Sequence, residues 1–219
     1  DLSGAGRWCV ATQTKGVRVW DLESGSRESF FPQTGLNSAR VSSDGSAFFV
    51  CTAYGLERWP VLNATNPSAP LAFGAAEEIQ LPDNTGARNI ALSTEGRIAA
   101  VELTDLRLVV LDLARNQPPV IFPERWRTAN LKGAGSLTGA GRFAISPDGR
   151  WVATGYWFGP KDTPRVWDAR TGAVVATLRA DTSLVVFSAD GQWLGLAGVR
   201  EFQIYSTRDW QCVAKIPRD

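Results

Sequence analysis

Apolar and polar positions alternate with a period of two over short stretches along the whole chain, and the clearest is residues 142–155, Arg-Phe-Ala-Ile-Ser-Pro-Asp-Gly-Arg-Trp-Val-Ala-Thr-Gly. Phe143 and Ile145 alternate with small residues, Pro147, Asp148 and Gly149 interrupt, and Trp151, Val152 and Ala153 open a second apolar run. That order predicts a β-hairpin. Five copies of its central Ser-x-x-Gly stand among apolar runs, at Ser3 to Gly6, Ser42 to Gly45, Ser93 to Gly96, Ser146 to Gly149 and Ser188 to Gly191, with steps of 39, 51, 53 and 42 residues between the serines. Near-regular recurrence of one hairpin-centred unit is the mark of a repeat protein.

Aligned on that serine, the copies agree where packing demands it. The position before it holds Leu2, Val41, Leu92, Ile145 and Phe187, and three before it stand Ala39, Ile90, Phe143 and Val185. A period of two puts these on one strand face. Two residues after the glycine come Trp8, Ala47, Ile98, Trp151 and Trp193, and a third apolar strand closes near Trp20, Trp59, Leu111, Trp167 and Tyr205. A polar turn then leads to a fourth apolar run. Such units are expected over residues 1–31, 37–81, 88–122, 141–178 and 183–216, the first without its innermost strand. Six of the nine tryptophans fall in these columns, where a large side chain fills the wedge between packed sheets, so they are expected in the core.

Four strands per unit, a period of roughly 45 residues and Trp-Asp at Trp20-Asp21 and Trp167-Asp168 together resemble the WD-repeat (WD40) family of β-propellers over essentially the whole chain. The most specific copy runs from Phe143 to Leu178, where Ser146, Asp148, Gly149, Trp167 and Asp168 fall in the family order; Gly191 marks the next best. Trp59-Pro60, Leu111-Asp112 and Tyr205-Ser206 replace the dipeptide elsewhere, and the family's Gly-His step is absent, as in the degenerate repeats of long bacterial multi-domain proteins. The resemblance implies an all-β fold, a WD40-type β-propeller with about five four-stranded blades. Because the family commonly closes a ring of about seven blades, it also implies an open or incomplete portion of a larger ring, with further blades supplied by flanking sequence. The buried His to Trp network of many family blades cannot form, which implies weaker or more uneven blades.

Composition narrows the function classes. The net charge of +1 gives no bulk attraction to nucleic acid or an anionic membrane, and no apolar run approaches the roughly 20 residues that span a bilayer. With no histidine, histidine-dependent catalysis is excluded, and the commonest metal ligand is missing. Cys9, Cys51 and Cys212 lie far apart in strand-like runs and are expected as small buried hydrophobes, reduced as in a cytoplasmic protein. The absence of methionine and a start inside a repeat suggest a piece of a longer polypeptide.

The acidic residues are mostly explained by turns. Asp44, Glu95, Asp148 and Asp190 precede turn glycines, and Asp21, Asp112 and Asp168 follow third strands. Starts of the innermost strands read Asn37-Ser38, Arg88-Asn89, Gly141-Arg142 and Thr182-Ser183, with no carboxylate cluster for a catalytic or metal centre. No catalytic, cofactor or metal residues are therefore expected. The leading expectation is a non-catalytic scaffold that binds a protein or peptide through loops on one propeller face; the alternatives are a propeller-type hydrolase or oxidoreductase with a site over the central channel, or a regulatory domain of a larger protein such as a protein kinase. The candidate patch belongs to the fourth unit: Arg125, Trp126 and Arg127 in the connection entering it, and Tyr156, Trp157, Phe158 and Lys161 in an expanded loop. Their aromatics lie outside the packing columns, and aromatic residues with arginine are enriched at interface hot spots. The other reading of these aromatics, that the two loops pack on each other, stays open.

Overall fold

The computed structural model describes residues 6–23, 27–62, 71–115, 117–125, 143–155, 163–180 and 184–218. They form five antiparallel sheets, each a meander in chain order. The first has three strands among the described residues: β1 (Trp8–Gln13), β2 (Gly16–Asp21) and β3 (Arg27–Pro32). The second is β4 (Leu36–Val41), β5 (Ala47–Thr52), β6 (Leu56–Pro60) and β7 (Glu77–Ile79), and the third is β8 (Ala87–Leu92), β9 (Ile98–Leu103), β10 (Arg107–Asp112) and β11 (Val120–Arg125). The fourth is β12 (Phe143–Ile145), β13 (Trp151–Thr154), β14 (Arg165–Asp168) and β15 (Val174–Thr177); the fifth is β16 (Leu184–Phe187), β17 (Trp193–Ala197), β18 (Glu201–Ser206) and β19 (Cys212–Pro217). Among the described residues one 3-10 turn, Pro82–Asn84, precedes β8.

The Ser-x-x-Gly turns work alike from sheet to sheet. Ser146 Oγ donates to Asp148 Oδ1 at 2.5 Å while accepting the amide of Trp151 at 2.8 Å, and Asp148 accepts the amide of Arg150. Ser42 with Asp44 and Ser188 with Asp190 repeat the arrangement. Each turn ends on a glycine in the left-handed region, with φ of 72° at both Gly45 and Gly149 and 70° at Gly191, where a side chain would be strained.

Packing divides the chain into two units through the third sheet: Asp1–Ile90 with Thr94–Gly96 and Val101–Arg107, and the remainder. In the first unit Trp8, Val10, Val17, Val19 and Phe31 of the first sheet close on Ala39, Val41, Phe48 and Val50 of the second. β5 is buried along its whole length, as a near-continuous apolar strand covered on both faces should be. In the second unit Ala153 and Val166 of the fourth sheet meet Val185, Leu194, Leu196 and Tyr205 of the fifth, and the Phe122 ring of β11 stacks on Trp167 at 5.1 Å. Each large side chain so buried contributes about 1.5–3 kcal/mol. The two outer pairings of these sheets each carry a register shift at the same place: between Val166 and Trp167 in the fourth sheet, and between Ile204 and Tyr205 in the fifth.

Three expectations need correction. Arg125 is not part of a connection but the end of β11, which is the outermost strand of its sheet among the described residues and so tolerates a proline at Pro123. Cys212 is exposed, because β19 is an edge strand with little covering it, whereas Cys51 is buried and Cys9 partly so. Trp193 is exposed although its column is otherwise a packing column; Trp8 and Trp167 are buried, and Trp20, Trp59 and Trp151 are half-buried.

Candidate functional site

Of the expected patch, Arg125 ends β11, and Trp126, Arg127, Tyr156, Trp157, Phe158 and Lys161 lie outside the described residues. What is described is the base on which these stretches stand. Phe143 pairs with Thr154, and Thr154 with Arg165, so one row of β12, β13 and β14 forms an end of the fourth sheet. The 126–142 stretch enters the sheet at Phe143; the 156–162 stretch leaves after Gly155 and returns before Arg165. Both therefore join the fourth sheet at the same end.

That end is held firmly. The indole N–H of Trp167 donates to Thr154 Oγ1 at 2.9 Å inside the sheet, and the Leu178 amide donates to the Pro164 carbonyl. At the opposite end Asp168 Oδ1 accepts the amides of Arg170 and Thr171 and the Thr171 hydroxyl. Burial pushes the Asp168 carboxyl upward, but those donors hold it below its ordinary value. Asp21 takes the same place in the first sheet, where it accepts the Glu23 amide and pairs with Arg7. The repeat residues Trp20, Asp21, Ser146, Asp148, Gly149, Trp167, Asp168 and Gly191 all occur in these strands and turns. Thr154, the acceptor of the Trp167 indole, is a partner that the sequence reading did not name.

Polar groups gather separately in the first unit. Arg40 donates to Asn89 Oδ1 at 3.4 Å and to the Ala39 carbonyl at 3.1 Å, and Asn37 Nδ2 is spent on the Ala87 carbonyl at 2.8 Å. Glu102 and Cys51 are buried. Burial drives the Cys51 thiol up to about 12, against a smaller downward pull from Ser38 and Arg40, so it is a neutral thiol and not a nucleophile. Among the described residues no group of three or more His, Cys, Asp or Glu is placed to hold a metal ion. No described helix is long and apolar enough to cross a membrane.

A second surface is formed only by the folded chain. Val186, Phe187, Ser188, Trp193, Gly195, Ile204 and Val213 line an open cleft of about 450 Å³ on the fifth sheet, almost wholly apolar. No signal in the sequence marks it, because its residues fill the same repeat columns as buried ones elsewhere.

No family model matches the chain, and none of the curated proteins does. Among solved structures 1245 chains match, a breadth that marks a widely used fold and singles out no function. One is a chain in the crystal structure of a mitotic checkpoint complex, with a TM-score of 0.68 at 15% identity, covering 99% of this chain and 62% of that one. This chain thus spans less than two thirds of the length of the chain it resembles. At that identity the likeness speaks to architecture alone. With its succession of antiparallel meanders, the chain has the all-β fold of a WD40-type β-propeller.

Proposed function

We propose that the chain is a non-catalytic scaffold that binds a protein or peptide through the loops at one end of the fourth sheet, with Arg125, Trp126, Arg127, Tyr156, Trp157, Phe158 and Lys161 as the contact residues. The observation that carries this reading is the shared Phe143, Thr154 and Arg165 row, at which both loop stretches join a sheet whose Ala153, Val166 and Trp167 are buried. Loops on a rigid base are where binding residues concentrate. Membership of the similar chain in a complex supports a protein partner in general. Three cations with four aromatics suit a partner of mixed acidic and apolar character. Single-stranded nucleic acid would call for a broadly positive groove, which a net charge of +1 does not favour.

Replacing Trp157 or Arg127 by alanine is expected to cost more than about 1 kcal/mol of partner binding while the melting temperature stays unchanged. Lower melting temperatures with an unchanged set of captured partners would place these side chains in the core and overturn the assignment.

A further inference from the structure

We propose that Arg40, Asn89 and Ser38 form a carboxylate-binding site between the second and third sheets. This goes beyond the loop reading above and is independent of it; all three residues belong to the first unit. In the fourth sheet Ala144, Ala153 and Val166 form one row across three strands, and Ala153 and Val166 are buried against the fifth sheet. The same row of the second sheet is Arg40, Phe49 and Arg58. It lies on the face turned away from the first sheet, which Ala39, Val41, Phe48 and Val50 meet. Two residues before the turn serine, where the second sheet has Arg40, the third, fourth and fifth have Ala91, Ala144 and Val186. A guanidinium thus occupies a place that the repeat otherwise gives to a small apolar group.

That cation has no counter-ion among the described residues. Nη1 donates to the Ala39 carbonyl at 3.1 Å and Nη2 to Asn89 Oδ1 at 3.4 Å, both neutral acceptors. Arg40 is half-buried, and burial holds its pKa below the ordinary value, with only Cys51 acting the other way. Glu102, buried on β9, acts on Cys51 and not on Arg40, and has interactions of its own. A cation taken partly out of water without an anion opposes folding, and a bound anion relieves that cost.

The groups around the guanidinium are donors. Asn89 is buried, and its Oδ1 already accepts from Arg40 and from the Ile90 amide, which orients the side chain with Nδ2 left to donate. Ser38 lies two residues before Arg40 on β4, hence on the same face, and its Oγ is buried without a hydrogen bond. Cys51, its register partner, is near enough for the hydroxyl to lower the thiol pKa, but no hydrogen bond of normal geometry joins them. Asn37 is spent on the Ala87 carbonyl and ties β4 to β8, so the two strands that carry the donors are fixed to each other. Phe49, buried beside Arg40 in the register, supplies an apolar wall. A site with one positive charge, N–H and O–H donors and its acceptors already used matches an anion. The guanidinium fork fits a planar carboxylate, whose single charge it balances, whereas a phosphate dianion would stay half neutralised. The carboxylate is that of a small organic acid or of a peptide C-terminus, which share this chemistry.

NMR of the Arg40 and Asn89 side-chain N–H groups during titration of the whole chain with sodium acetate, at ionic strength held constant with sodium chloride, tests this. Both signals should shift together and saturate. Arg40→Leu should weaken acetate binding at least about tenfold, as loss of a charged hydrogen-bonding group does, followed on the Asn89 signal. The same variant should melt no lower than wild type without acetate, since it removes an unpaired charge. Ser38→Ala should weaken binding less. If Arg40→Leu fails to fold, the wild-type titration and Ser38→Ala decide. A short peptide with a free C-terminus and the same peptide amidated separate the two sources. Binding of the acid form at least as tight as acetate assigns the site to a chain end, and weaker binding assigns it to a small acid. Shifts that rise without saturating, saturation by inorganic phosphate below the acetate concentration needed, an amidated peptide that binds as well as the acid form, or an Arg40→Leu chain that binds acetate like wild type would each overturn the proposal.

Discussion

Trp167 gives its indole proton to Thr154, a residue of the adjacent strand, across 2.9 Å in a fully buried pair. A histidine-free chain thus keeps a satisfied tryptophan inside its fourth sheet. Thr154→Val keeps the shape but orphans the indole N–H, and is expected to cost about 1–3 kcal/mol. Urea unfolding of Thr154→Val, Trp167→Phe and the double variant checks it, and a coupling energy near zero would show that the bond contributes nothing.

The turn glycines are not equivalent. Gly149 is left-handed and also pressed by Ile98, whereas Gly6 shares its φ and has nothing within 4 Å of a Cβ among the described residues. Alanine at either position bears the left-handed penalty of about 1–2 kcal/mol. Gly149→Ala adds a clash and should lose more stability than Gly6→Ala, as compared by thermal melting.

Acid should loosen the turns. The Arg97 guanidinium, on Asp112 at 3.0 and 3.3 Å, holds that carboxyl below its ordinary value, and the Ser188 hydroxyl does the same for Asp190. A carboxyl depressed on folding contributes stability that is fully present above its unfolded pKa, about 3.9, and is lost as pH falls through the folded value. Urea midpoints should therefore be flat near neutrality and fall steeply below about pH 4. Asp112→Asn and Asp190→Asn should each flatten that fall while lowering the midpoint at neutral pH.

The three cysteines should report on separate regions. Cys212 lies exposed on β19 and should react at once with a thiol reagent in the native protein. Cys51, fully buried with its pKa pushed up to about 12, should react only when the first unit opens. Mass spectrometry of pulse-labelled protein reads the two sites apart; equal rates would mean that β5 is not the closed strand described.

Much of the fold is legible in the sequence because a half-buried strand must alternate and its turn must end on glycine. Phe143 to Thr154 carries both signals without ambiguity. The end of β11 is hidden because Pro123 reads as a break, although an outermost strand loses little by it. Trp193 is hidden for a deeper reason: its column holds the same kind of residue whether the side chain is buried, as at Trp8, or exposed. Thr154 is missed because a hydroxyl inside a strand reads as β-propensity and not as an acceptor. The contact residues of the loops rest on composition alone, since no period or partner in the sequence fixes where Trp157 or Arg127 points.

The matching register shifts beside Trp167 and Tyr205 each leave one valine, Val175 and Val213, without a partner in the outer strand. Such an irregularity twists the strand and spoils its free edge as a template for another backbone. Stacking edge on edge into amyloid is thereby discouraged. Large particles formed at high concentration should accordingly remain soluble on dilution and leave thioflavin T dark.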